Sequence, residues 1–214
     1  DQVLAVEKRD NCRYVVGFDP SQGLGKDYSV LCAVRQESNG DLVVSNIWRR
    51  NDFPPDKQAD VIGEWCKRYS APLAAEDVGF QRLFKSLLEA KGIGVDYRES
   101  KVSNKGLKQA LLNRLRVWFE REKIVIPYGD DKTRRIMSEL LDELESHAWK
   151  NGEIVDTGRH NDLVMALAHA VDQFSGGMKG VQGVFGKSGK GEWAGGKSKA
   201  RGRSGFKAVN RRRY

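Results

Sequence analysis

The sequence predicts an α/β body: a mixed β-sheet that opens with three antiparallel strands, carries helices on both faces and is followed by a flexible basic tail. Three observations predict it. The chain has 214 residues, the size of one domain plus a tail. Its apolar, β-rich runs come first as a group and then alternate with amphipathic helical patterns, the order that gives a helix-covered mixed sheet. Beyond residue 175 glycine and basic residues take over from large apolar ones.

Residues 14–19 (YVVGFD) form a short apolar run that closes on the turn-rich segment 20–26. Residues 28–35 and 42–49 are β-rich, and Asn39-Gly40-Asp41 between them is a hairpin turn signal, so strands one to three form a meander. Pro54-Pro55 then opens a helix whose Ala59, Ile62, Trp65 and Tyr69 recur at helical spacing. A buried strand over 72–78 follows, then a helix marked by Leu83, Phe84, Leu87 and Leu88, and a short strand over 94–98. Residues 103–122 form a long amphipathic helix with Leu111, Leu115, Trp118 and Phe119 on one face. Residues 124–127 are a short edge strand, because Pro127 ends ladder pairing. A helix over 131–146 turns Ile136, Leu140, Leu141 and Leu144 inward. The last helix, 163–174, is apolar nearly all round and packs into the body rather than on it. There is no internal repeat. Residues 1–175 are the body and residues 176–214 the tail.

Composition narrows the functional classes. No apolar run reaches the roughly 20 residues needed to cross a bilayer, and the charged N-terminus is not signal-like. Cys12, Cys32 and Cys66 lie far apart without a CxxC pair, which suits buried thiols rather than a disulfide framework or a zinc site. From Gly176 to Tyr214 there are eleven Lys and Arg against one acid, Glu192, a net of +10 that leaves −2 for the rest of a chain whose total is +8. The same stretch holds eleven of the 23 glycines, so it buries too little surface to offset its ordering entropy. Its basic run, ending Arg211-Arg212-Arg213, attracts polyanions, nucleic acid first; the alternative is a solubilising terminus.

Three acids stand where packing alone does not place them. Asp19 ends the first apolar strand, Glu76 sits within Leu73-Ala74-Ala75-Glu76-Asp77-Val78, and Asp162 opens the apolar last helix after His160-Asn161. Carboxylates beside apolar elements carry a desolvation cost unless cations, backbone donors or a divalent metal compensate it. Oxygen-only ligand sets are the natural sites of hard cations such as Mg²⁺. Each acid alone has a bland reading: Asp19 as a turn former before Pro20, Asp162 as a helix N-cap. Strand alternation sends Glu76 and Asp77 to opposite faces, and Glu76 is taken as the ligand with Asp77 as the alternative.

Gly17-Phe18-Asp19-Pro20 with Gly23, Gly25 and Asp27-Tyr28-Ser29 resembles the first nuclease motif of tailed-phage large terminases. Glu76-Asp77-Val78-Gly79-Phe80 is similar to the second, and His160-Asn161-Asp162-Leu163-Val164-Met165-Ala166 to the third. Where the family commonly has paired aspartates this chain has Asn161-Asp162, so Asp162 is the better ligand. The resemblance implies a ribonuclease-H-like fold and an endonuclease that cuts double-stranded DNA with little sequence preference, using two Mg²⁺ or Mn²⁺ ions. Asp19 then bridges the ions, Glu76 and Asp162 complete one site each, and Asp27, His160 and Asn161 orient ligands or water. Lys101, Lys105 and Lys108 are assigned to the DNA backbone together with Arg211, Arg212 and Arg213. His147 and His169 read as packed or capping histidines, and Arg49-Arg50 as surface charge.

The family also carries an ATPase motor, and Gly23-Leu24-Gly25-Lys26-Asp27 does not supply one: Pro20 replaces the first glycine of a phosphate loop and Asp27 its Ser or Thr, so no nucleotide cofactor is expected. The implied setting is an excised C-terminal domain of a viral protein in the host cytoplasm, monomeric in isolation. Portal protein and small terminase subunit are the expected partners of the full-length protein. Two rivals remain, a junction resolvase or transposase on the same core, and a DNA- or portal-binding adaptor without catalysis.

Overall fold

The computed structural model describes residues 3–4, 7–25, 27–76, 81–100, 105–128, 131–150, 153–158, 160–174 and 210–212. After a two-residue strand β1 (Val3–Leu4), the expected meander is present as β2 (Arg13–Asp19), β3 (Ser29–Gln36) and β4 (Leu42–Arg50). Then come α1 (Pro55–Tyr69), β5 (Leu73–Glu76), α2 (Gln81–Ala90), β6 (Tyr97–Ser100), α3 (Lys105–Glu120), β7 (Ile124–Pro127) and α4 (Asp131–Ser146). A hairpin β8 (His147–Lys150) and β9 (Glu153–Asp156) precedes α5 (Asp162–Asp172), and β10 (Asn210–Arg212) closes the described chain.

The main sheet runs β10-β7-β4-β3-β2-β5-β6, with β1 joined antiparallel to β4. Strands β2, β3 and β4 are mutually antiparallel, whereas β5 and β6 extend the sheet parallel to β2. This is the predicted mixed architecture. Alternation along β2 divides the core in two. Tyr14, Val16 and Phe18 pack with Ala59, Ile62 and Trp65 of α1 and Phe84 of α2. Val15 faces the opposite side, with Leu111 and Leu115 of α3, Leu140 and Leu144 of α4, and the apolar residues of α5 from Leu163 to Val171. Trp48, Trp65 and Trp118 are buried, and the three cysteines are free thiols.

Gly17 fixes the sheet–helix distance. A Cβ there would lie 1.9 Å from the carbonyl oxygen of Ala166 and 2.8 Å from the amide nitrogen of Ala170, so α5 rests directly on the backbone of β2. Residues Leu163 to Val171 are buried without a break, which accounts for a helix with no polar face.

Two expectations change. β7 is not an edge strand: β10 pairs parallel to it, Asn210 opposite Val125 and Arg212 opposite Pro127. Three residues near the C-terminus thus pair with the main sheet. Asn-Arg-Arg has no apolar alternation to announce a strand, because ladder pairing at an edge is made by backbone groups that every residue carries. The β8–β9 hairpin was also unannounced. Gln109 of α3 holds it through its side-chain amide, donating to the Ile154 carbonyl at 2.7 Å and accepting from the Ile154 N–H at 2.8 Å.

Candidate active site

The parallel pair β2 and β5 brings the first two acids together. Phe18 is in register with Ala75, so Asp19 and Glu76 follow side by side at the carboxyl ends of neighbouring strands. Alternation then fixes their face: Val15, Gly17 and Asp19 look toward α5, as do Ala74 and Glu76, while Phe18 and Ala75 look toward α1 and α2. Asp162, first residue of α5, projects over the same strand ends because Gly17 lets the helix lie so close. Carboxyl ends of parallel strands are the habitual place of ligand sites in such sheets.

The electrostatics are those of uncompensated crowding. Burial pushes the Asp19 carboxyl well above the usual carboxylate range, and the charges of Asp162, Glu76 and Glu143 push it further. Burial raises Glu76 and Asp162 as well. Lys108 opposes the trend at Asp19 and at Glu76. Its position explains this: three and four residues before the buried Leu111 and Leu112, it shares the inner face of α3 and is half-buried beside the acids. Lys108 thus sits beside the acids.

Asp162 is not a capping aspartate. Asn161 is the N-cap of α5 and makes no side-chain cap bond. Glu143 of α4 takes that role, its Oε2 accepting the N–H groups of Leu163 at 2.8 Å and Val164 at 3.2 Å. Burial raises the Glu143 carboxyl to about 7 despite those two bonds and the nearby Arg49. The Asp162 Oδ2 is left to accept the Tyr28 N–H at 3.3 Å, with His160 Nδ1 at 3.8 Å. The His160 ring stands edge-on to Tyr28, centroids 5.4 Å apart.

Arg49, surface charge by its sequence context, is largely buried in the structure. Its Nη1 lies 2.7 Å from Glu139 Oε2, its Nη2 is 3.4 Å from Glu143 Oε1, and its guanidinium lies 3.7 Å from the Tyr28 ring centroid. Glu143 had a legible signal: it falls seven residues after Ile136 and three after Leu140, an acid on an otherwise apolar helical face. Arg49, at the end of a strand, offered none.

The other candidates scatter. Asp27 is exposed and reaches Asp162 as charge repulsion. Lys105 begins α3, whereas Asp77, Lys101 and Arg213 lie outside the described residues. Arg211 and Arg212 belong to β10, four strands from β2, so the fold separates them from the acids. The glycine loop after Asp19 leads into strand β3 rather than a helix, which removes the structural context of a phosphate loop. His169 is buried in α5, and burial lowers it to about 4. His147 Nδ1 lies 2.8 Å from the Glu143 carbonyl oxygen, a packed contact rather than a ligand position.

The donor set around Asp19 is all oxygen, short of positive charge and half-buried, which suits a hard divalent cation. Among the described residues, no three Asp, Glu, His or Cys side chains are already gathered as a metal site.

By sequence the chain matches no protein-family profile and no curated protein. By structure it is similar to the large terminase nuclease of the thermophilic phage G20c with bound magnesium, with a TM-score of 0.65, 23% identity and coverage of 80% of this chain and 87% of that one. The large terminase nuclease domain of Thermus phage P74-26 superimposes with a TM-score of 0.63 at 22% identity, covering 81% of this chain and 86% of that one. The chain has the fold of the large terminase nucleases. The nuclease domain of the bacteriophage SPP1 large terminase with bound manganese shares it at 16% identity and a TM-score of 0.54, covering 75% of this chain and 86% of that chain. The terminase nuclease fold is what places β2, β5 and α5 together here.

Proposed function

We propose that this chain is a metal-dependent endonuclease that cuts double-stranded DNA with little sequence preference, as the nuclease part of a viral DNA-packaging terminase. One observation carries the reading: Asp19 and Glu76 end adjacent parallel strands on the face covered by α5, the helix that carries Asp162. Burial and mutual repulsion raise the Asp19 carboxyl, so the site gains from any cation that enters it. Similarity to nucleases solved with magnesium, cobalt, zinc and manganese supports a divalent ion.

In this reading Asp19, Glu76 and Asp162 are the residues that would hold the divalent ions, Mg²⁺ or Mn²⁺. The chemistry supplied by such ions is activation of water and stabilisation of the leaving oxygen in phosphodiester hydrolysis. The Tyr28 N–H and His160 orient the Asp162 carboxylate. Lys108 limits the repulsion between Asp19 and Glu76 before DNA arrives and offers its ammonium to the phosphate afterwards. Residues 1–175 form the nuclease body, and the basic tail 176–214 supplies sequence-independent attraction to DNA or a docking segment for the packaging machine. Portal protein and small terminase subunit are the partners of the whole assembly, in the host cytoplasm. No described helix is long and apolar enough to cross a membrane.

The test is plasmid cleavage with Mg²⁺, Mn²⁺ or EDTA, beside Asp162→Ala. Metal-dependent nicking and linearisation that the substitution abolishes supports the nuclease. The rival from another class is an adaptor that binds DNA without cutting it. Supercoiled DNA bound but left intact in both metals gives that rival the lead.

A further inference from the structure

Helix α5 is fastened at each end by an arginine. At the C-terminal end Arg114 of α3 pairs with Asp172. At the N-terminal end the fastening is indirect. Arg49 on β4 lies between Glu139 and Glu143 of α4, and Glu143 in turn caps α5 through the Leu163 and Val164 amides. The same guanidinium lies over the Tyr28 ring, and the Tyr28 N–H is bonded to Asp162. Two paths therefore lead from Arg49 to Asp162, one through the helix terminus and one through the backbone before β3. The N-cap residue itself contributes no side-chain bond, so Glu143 supplies the side-chain cap at this end.

We propose that Arg49 and Glu143 are a positioning pair that sets the orientation of Asp162 against Asp19. The proposal rests on the nuclease reading and deepens it. A carboxylate on the first residue of a helix points where the first turn points, and that turn is held here by a side chain from another helix rather than by its own cap. Arg49 holds Glu143 from one side and presses Tyr28 from the other, so a single guanidinium fixes both contacts. Neither residue touches DNA or metal in this scheme; each acts through Asp162, as partners one shell out orient the ligands of a metal site.

The test compares Arg49→Met, Glu143→Ala and Glu143→Gln with Arg114→Met, which removes the same type of anchor from the opposite end of the same helix. Two measurements are made on each protein: steady-state plasmid cleavage in Mn²⁺, and amide hydrogen exchange at Leu163 and Val164. Arg49→Met and Glu143→Ala are expected to lower kcat about 10- to 100-fold with KM for DNA unchanged, and to lose protection at both amides. Glu143→Gln, which keeps an acceptor oxygen of the same reach, is expected to recover part of both. Arg114→Met is expected to lower Tm while retaining kcat and the protection of Leu163 and Val164. Wild-type kcat in Arg49→Met and Glu143→Ala overturns the proposal, as does an equal loss of kcat in Arg114→Met. If the wild type does not cut in any metal, the nuclease reading falls and amide exchange alone decides the pair: protection lost in Arg49→Met but kept in Arg114→Met sustains it, and equal protection in the two ends it.

Discussion

Gly17 and Ala166 are in backbone contact across the sheet–helix interface, with room for a hydrogen and none for a methyl group: a Cβ on Gly17 would lie 1.9 Å from the Ala166 carbonyl oxygen. Gly17→Ala must therefore push α5 off β2 or bend the strand. The expected cost is at the top of the roughly 1–3 kcal/mol range for overpacking, or beyond it. Because Asp162 travels with the helix, cutting should fall by more than the residual folded fraction explains. Chemical denaturation with cleavage assayed on the folded remainder checks both parts.

Asp19 is a half-buried carboxylate whose described neighbours mostly repel it. Asp19→Asn removes that strain and is expected to raise the metal-free stability by about 1–2 kcal/mol, the size of gain often found when a functional site is relieved. The variant should also lose the rise in Tm that Mn²⁺ gives the wild type, since a ligand that binds only the folded state stabilises it by mass action. Thermal melts with and without Mn²⁺ decide this. A variant no more stable than wild type in EDTA would count against the repulsion described for the site.

His169 gives a pH dependence with a definite sign. Burial lowers it from 6.5 to about 4, so the folded state keeps it neutral where the unfolded chain takes a proton. Its contribution is fully present above pH 6.5 and is lost as pH falls from 6.5 toward 4. Two and a half pH units correspond to an upper bound of about 3 kcal/mol. Denaturant midpoints across that window should show the slope, and His169→Leu should flatten it.

The Gln109 amide joins the β8–β9 hairpin to α3 by two bonds to the Ile154 backbone. Gln109→Leu leaves both Ile154 groups without those partners, at a cost of about 1–3 kcal/mol confined to the hairpin. Faster amide exchange at Ile154 with unchanged exchange in β2 and β3 is the expected pattern. Uniform loss across the sheet would show that the hairpin is integral to the core.

Much of the scaffold was legible because its signals are local. The apolar run opened by Tyr14-Val15-Val16, the hairpin turn at Asn39-Gly40 and the apolar helix after Asp162 each announce their own element. Asp19, Glu76 and Asp162 stood out for the same reason, as acids beside apolar runs. What sequence hid depends on partners distant in the chain. Arg49 reads as surface charge until Glu139 and Glu143 fold against it some 90 residues later. Lys108 reads as one more basic residue on its helix until the fold brings its charge to Asp19 and Glu76. The strand at Asn210–Arg212 pairs through its backbone and leaves no mark in the residue types.

The placement of α5 inside the core bears on how such a protein diverges. Asp162 is carried by a helix whose neighbours on all sides are core residues, so selection for a packed interior and selection for the acid's position act on the same few side chains. The outer faces are free of that double constraint, and their residues can be exchanged without moving the acid. Ancestry then fades from the aligned letters long before it fades from the shape. The comparisons fit that asymmetry: 12% to 23% identity to solved terminase nucleases, no matching family profile, and TM-scores of 0.55 to 0.65 over 80% of the chain.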